Sequence, residues 1–291
     1  MMPKYIFIDT AHLRILTGEH YDALSSYLHE HDLELVITPM LLVEYFSPKL
    51  QAGDRTANAV MLLMEHDFVI ANQDTIMDKE EAAYPASLVR LPIAWSSRDS
   101  LVGKSDEERY QLLYQLFHHG IPGTGYDLKT WAENHKAGKA EWVVDVAHIL
   151  NHAAQAGTLG NKEDFIQSLD IRLCNGLELA ARQLKGEEKI DRFYTERIKK
   201  LDRILKKKDT KLMKGIHLTS LITWYDYVIA KKAVLPSDKA DIFHAIIYPY
   251  CSVVIPDASR ADVIQRIQRE DIRYRQMQCY RIKEFLEVLQ H

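Results

Sequence analysis

The chain has 291 residues, 47% of them hydrophobic and 27% charged, and a formal net charge of −4 with a pI near 6.4. This is an ordinary globular composition with enough apolar material for a sizeable core, and its charge balance selects no class of partner by itself. Three cysteines, Cys174, Cys251 and Cys279, with no Cys-x-x-Cys, argue against a disulfide framework or a structural zinc site. They predict a reducing compartment. "MMPKYIFIDT" lacks the pattern of a secretory leader, and no run is long and apolar enough to span a membrane. The expectation is a soluble cytoplasmic protein without membrane partners.

"YIFID" (5–9) has the β-branched and aromatic character of a short buried strand. Residues 11–30 then place Leu13, Leu16, Leu24, Tyr27 and Leu28 at helical spacing. "LELVIT" (33–38) predicts a second strand, and Pro39 fits the first turn of the helix through "MLLVEYF". "FVIAN" (68–72) is a third strand. "EHD" precedes the second and third strands, at 30–32 and 65–67, and reads as a polar helix-to-strand connection. Strands alternating with helices imply a mainly parallel sheet, with the strands' C-terminal ends opening on one edge.

From about residue 76 to 232 the pattern turns helical, as in 106–118, 139–155, 161–185 and 187–208. The loop "HHGIPGTGYD" (118–127) lacks the spacing and the Gly-Lys of a phosphate-binding loop. Asp145, His148 and His152 share a helical face but have no further ligand, so they read as a polar surface. The α/β pattern resumes at 236, with a helix, the strand "CSVVI" (251–255) and a closing helix from about 259. The predicted architecture is α/β, with a core from 1–75 and 233–291 and an all-helical insertion at 76–232.

Acids sit at telling places in this pattern. Asp9 ends the first strand and Asp257 the last, so both fall on the edge where such sheets place their sites. Glu44 lies in the helix after the second strand. Asp241 lies on the helix leading into the last, with Asp238 one turn earlier. Taken singly, Asp9 and Asp257 are good helix N-caps, and Asp238 suits a first helical turn. Taken together, converging carboxylates need a cation to offset their repulsion, and an all-oxygen set suits Mg²⁺ or Mn²⁺. Such ions assist phosphodiester hydrolysis by activating water and neutralising phosphoryl charge.

"YIFIDT", "ITPMLLVEYF" and "DIFHAIIYPYCSVVIPD" resemble the three acidic motifs of PIN-domain ribonucleases. The resemblance covers about 75 N-terminal and 59 C-terminal residues. It implies a three-layer α/β/α sandwich and divalent-metal-dependent cleavage, most often of RNA. It implies metal-holding roles for Asp9, Glu44, Asp241 and Asp257; Asp238, one turn earlier, could supplement them, but Asp241 is preferred because it fits the Asp-x-x-His frame. Thr10 would orient Asp9 or water, or is simply a first-turn helix residue; His244 could bind metal or substrate, but packing beside the site is the simpler reading. The residue before Asp257 is Pro256, where the family often carries Thr or Ser; this favours a rival reading as an inactive PIN-like module that binds nucleic acid or protein. An Asp-nucleophile phosphatase fits poorly, because Ala11 stands where a second Asp is wanted.

Between Arg197 and Lys214, Arg197, Lys199, Lys200, Arg203, Lys206, Lys207, Lys208, Lys211 and Lys214 face only two acids. The segment carries +7, leaving −11 for the rest of the chain. Such a run can neutralise phosphates, or be a solvated helix face. RNA is the expected partner; DNA and a regulatory protein stay open.

Overall fold

The computed structural model describes residues 4–84, 86–120, 146, 147, 150, 151, 153–155, 157–170, 173 and 210–291. Six strands form one sheet: β1 (Lys4–Ile8), β2 (Leu33–Ile37), β3 (Phe68–Ile70), β4 (Trp95–Ser96), β5 (Val253–Ile255) and β6 (Gln278–Cys279). Their order is β4-β3-β2-β1-β5-β6. β3, β2, β1, β5 and β6 run parallel, and β4 closes one edge antiparallel to β3. β2, β3 and β5 are buried at every residue. That is why β3 and β5 read as continuous apolar runs rather than as alternation, while β2 buries one acid, Glu34, among its apolar residues.

The helices are α1 (Thr10–Leu16), α2 (Tyr21–Glu30), α3 (Pro39–Leu41), α4 (Ser47–Gln51), α5 (Asn58–Glu65), α6 (Gln73–Ala83), α7 (Ser97–Leu101), α8 (Asp106–His119), α9 (Lys214–Thr223), α10 (Asp238–His244), α11 (Ala258–Glu270) and α12 (Ile282–Val288). Two of them continue as π-helical turns, α3 into Leu42–Phe46 and α9 into Trp224–Ile229. Pro39 opens α3 behind Thr38, whose side chain accepts from Leu41 N–H. Ser105 and Glu108 form a capping box at α8. Both "EHD" triplets are helix-to-strand connections, and Asp32 in the first takes a left-handed φ of 50°. No helix among the described residues is long and apolar enough to cross a membrane.

Two features depart from the sequence pattern. Trp95–Ser96, inside the stretch expected to be helical, pairs with β3. The expected closing helix stops at Glu270, where Asp271 caps a short 3₁₀ turn, and the chain then adds β6 and α12.

Contacts divide the chain into two compact units. The first comprises Met1–Asn72, Pro92–Lys139 and Tyr250–His291, and holds every strand found among the described residues. The second comprises Gln73–Leu91 and Ala140–Pro249. This division cuts across the expected 75/76 and 232/233 boundaries. Residues 92 onward group with the sheet because β4 pairs with β3 and α8 fastens to α4 and α5. Tyr110 Oη donates to Leu50 O (3.3 Å), and Arg109 Nη1 donates to Met64 O (3.0 Å).

In the second unit, buried Glu80 of α6 accepts from the N–H groups of Gly215 (2.6 Å) and Ile216 (3.0 Å), satisfying the start of α9. Gly215 is required there, because a Cβ would lie 2.3 Å from the Ile246 carbonyl oxygen.

Candidate functional site

From β1 the chain moves outward to β2 and β3 on one side. It later returns to build β5 and β6 on the other. The β1/β5 boundary is therefore the topological switch point, and ligand crevices of open α/β sheets form outside the strands' C-terminal ends at that point. Asp9 follows β1 directly, and Asp257 follows β5 after Pro256. Ile8 pairs with Ile255 in register, and Asp9 N–H donates to Ile255 O at 3.0 Å. Two carboxylates thus leave neighbouring parallel strands side by side, both half-buried.

Each is also a helix cap. Asp9 Oδ1 accepts from Ala11 N–H (2.9 Å) at α1. Asp257 Oδ1 accepts from Arg260 N–H (3.1 Å) and Ser259 Oγ (2.8 Å) at α11. Capping and convergence on one edge occur together. Burial pushes the Asp9 carboxyl above its ordinary range. The Ala11 N–H and His12 oppose that rise, while the charge of Asp257 adds to it. On its other side, Asp257 Oδ2 lies 3.9 Å from Nε of Arg260, whose side chain is 3% exposed.

Glu44 is exposed on the π-helical turn after α3. The turn is fastened to α1 by its neighbour Tyr45, whose Oη donates to Leu13 O (3.3 Å) and contacts Thr17 Oγ1. Thr10 is half-buried in the first turn of α1, and its N–H also favours the charged form of Asp9.

The remaining expected ligands belong to the second unit. Asp241 is half-buried on α10 and His244 is buried at its end. Asp238 Oδ2 accepts from Tyr227 Oη and Leu235 N–H, both at 2.9 Å, so this acid fastens the loop before α10. Of the basic run, Lys211 pairs with Glu163 at 3.6 Å on the surface, and Lys214 starts α9. Arg197, Lys199, Lys200, Arg203, Lys206, Lys207 and Lys208 lie outside the described residues, as do Asp145, His148 and His152.

Two further titratable groups were not picked out from the sequence. His12 is buried (7% exposed), and its Nε2 contacts Pro256 O at 2.9 Å. The signal was present, because "DTAH" (9–12) repeats the Asp-x-x-His spacing of "DIFH" (241–244). Asp74, in the first turn of α6, has its carboxyl raised by burial and by Asp78, with Lys239 opposing. Its place a few residues beyond β3 was the available clue.

Among the described residues, no group of three or more His, Cys, Asp or Glu side chains is gathered as a metal cage. Mg²⁺ is commonly held by one or two carboxylates with water and substrate phosphate completing its shell. The all-oxygen Asp9–Asp257 pair fits that pattern, and the repulsion acting on Asp9 is what a bound cation relieves. Comparison with protein-family models, with curated proteins and with solved structures gives no match for this chain.

Proposed function

We propose that the chain is a PIN-like, divalent-metal-dependent endonuclease that hydrolyses phosphodiester bonds, with RNA as its substrate class. The observation that carries the reading is the Asp9–Asp257 pair, two acids on neighbouring parallel strands at the switch point, with Asp9 strained electrostatically by burial and by its partner. Their carboxylates would hold Mg²⁺ or Mn²⁺. When bound, the ion supplies Lewis-acid activation of water and offsets charge on the phosphoryl group.

Ala11 N–H holds one oxygen of Asp9, and Ser259 with Arg260 N–H holds one oxygen of Asp257, which fixes both carboxyl planes. Thr10 supports Asp9. Glu44 and Asp241 enter this reading on the motif resemblance alone, as do the three-layer sandwich and its helical insertion. In this reading the insertion and its basic run bind RNA or a regulatory partner.

A second reading has its own support. Arg260 places a buried guanidinium beside Asp257, a resident cation where the nuclease reading wants a metal, and Pro256 offers no hydroxyl. This is the inactive module that binds nucleic acid or protein.

The deciding experiment is cleavage of end-labelled single-stranded RNA and DNA with Mn²⁺, Mg²⁺ or EDTA. Asp9→Asn, Asp257→Asn and Asp241→Asn variants are assayed beside the wild type, with folding checked by circular dichroism. The expected result is metal-dependent cutting, reduced at least about 100-fold by the first two substitutions, in line with loss of metal-centred charge stabilisation. RNA binding without cutting favours the inactive module. Cutting that survives Asp9→Asn and Asp257→Asn overturns the proposed site.

A further inference from the structure

We infer that His12 is a positioning residue that sets the separation of Asp9 and Asp257; the inference rests on the metal-site reading above. Two successive carbonyls leave β5, those of Ile255 and Pro256. Each is held from the first turn of the α1 segment, Ile255 O by Asp9 N–H at 3.0 Å and Pro256 O by His12 Nε2 at 2.9 Å. A carbonyl only accepts, so Nε2 carries the hydrogen in that bond. Asp9 and Asp257 are therefore joined through two short bridges, one main-chain and one through the imidazole.

The surroundings make the second bridge a fixed one. His12 is buried, and its own N–H donates to Asp9 O at 3.0 Å, which binds the ring's backbone to the acid it serves. Its Nδ1 is buried and has no hydrogen-bond partner among the described residues, so one contact, to Pro256, orients the ring. Proline fixes its own φ, so holding its carbonyl also restricts where the next residue starts. That next residue is Asp257. Residues that orient ligands in this way typically change metal affinity 10–100-fold when removed.

The test is Mn²⁺ binding, followed by the loss of the free-ion paramagnetic resonance signal, on the full-length wild type and on His12→Leu, His12→Asn, His12→Gln and Asp9→Asn. Thermal melts confirm that each variant is folded at the assay temperature. Leucine keeps volume without a donor, asparagine is polar but too short to reach Pro256 O, and glutamine can return an N–H close to the position of Nε2. The expected result is a loss of Mn²⁺ affinity of about tenfold or more in His12→Leu and His12→Asn, with His12→Gln within about threefold of wild type. If His12→Leu does not fold, His12→Asn against His12→Gln carries the comparison. Wild-type affinity in His12→Leu and His12→Asn, alongside lost binding in Asp9→Asn, overturns the role of His12 and leaves the metal site standing. Equal losses in all three His12 variants mark a packing role and also overturn it. Absence of Mn²⁺ binding by the wild type overturns the metal site and this inference together.

Discussion

Burial and the charge of Asp257 disfavour ionised Asp9, the Ala11 N–H and His12 favour it, and the balance raises its pKa. A carboxyl whose folded pKa lies above its unfolded value holds its proton more tightly when folded. Its stabilising contribution is therefore complete below the unfolded value, near 3.8, and is lost as pH rises through the raised folded value. At neutral pH in EDTA, Asp9 works against the fold. Asparagine caps helices as well as aspartate does, so Asp9→Asn is expected to be the more stable protein at pH 7, with the gap closing in acid. Urea midpoints of both proteins at pH 7 and near pH 3.5 measure this, and a less stable Asp9→Asn at pH 7 contradicts it. Added Mn²⁺ should raise the midpoint of the wild type alone. The place of Asp9 at a strand end was legible in "YIFIDT", because a run of apolar residues stops there. Its electrostatic state was not, because it depends first on burial in the folded protein and then on neighbours that include a residue from the far end of the chain.

Elements long enough to carry a pattern were legible, and those made by pairing alone were not. β1, β2, β3 and β5 fall within one or two residues of their apolar runs. β4 and β6 have two residues each and exist because a neighbouring strand offers hydrogen bonds, which no local periodicity records. The same non-local logic governs the opposite edge of the sheet from the Asp9 site. There Arg98, just after β4, reaches Glu34 on β2 (3.1 Å), Asp67 before β3 (2.9 Å) and Asp32 before β2 (3.6 Å). Glu34 has a side chain only 5% exposed. Burial raises its pKa, and Arg98 is the main influence holding it down. Removing the cation as Arg98→Met leaves Glu34 buried with its charge less well offset, at a cost of about 1–3 kcal/mol. With Arg98 absent the folded pKa of Glu34 climbs further above 4.5, so the deficit is present at neutral pH and is lost as pH falls through the raised folded values. Denaturation of wild type and Arg98→Met at pH 7 and pH 4 checks the sign; a deficit that grows in acid contradicts the assignment.

Over the whole molecule, charge is unevenly distributed along the chain, which would bias where a phosphate polymer could bind. The segment 197–214 carries +7 against −11 elsewhere, so a nucleic acid is attracted to one stretch and repelled by the average surface. Phosphate binding by lysines releases counterions, and for single strands the affinity falls with salt by a slope of about 0.7 per phosphate neutralised. If the run binds RNA, replacing Lys206, Lys207 and Lys208 together with glutamine removes up to three such contacts and flattens the slope by about 2. The measurement is fluorescence anisotropy of a labelled single-stranded RNA over a salt series, in the Asp9→Asn background so that the probe stays intact. An unchanged slope with intact affinity makes the basic run a solvated face and moves RNA recognition elsewhere. A flattened slope makes the run the RNA-holding surface whether or not the carboxylate pair cuts, which separates what this protein grips from what it does to it.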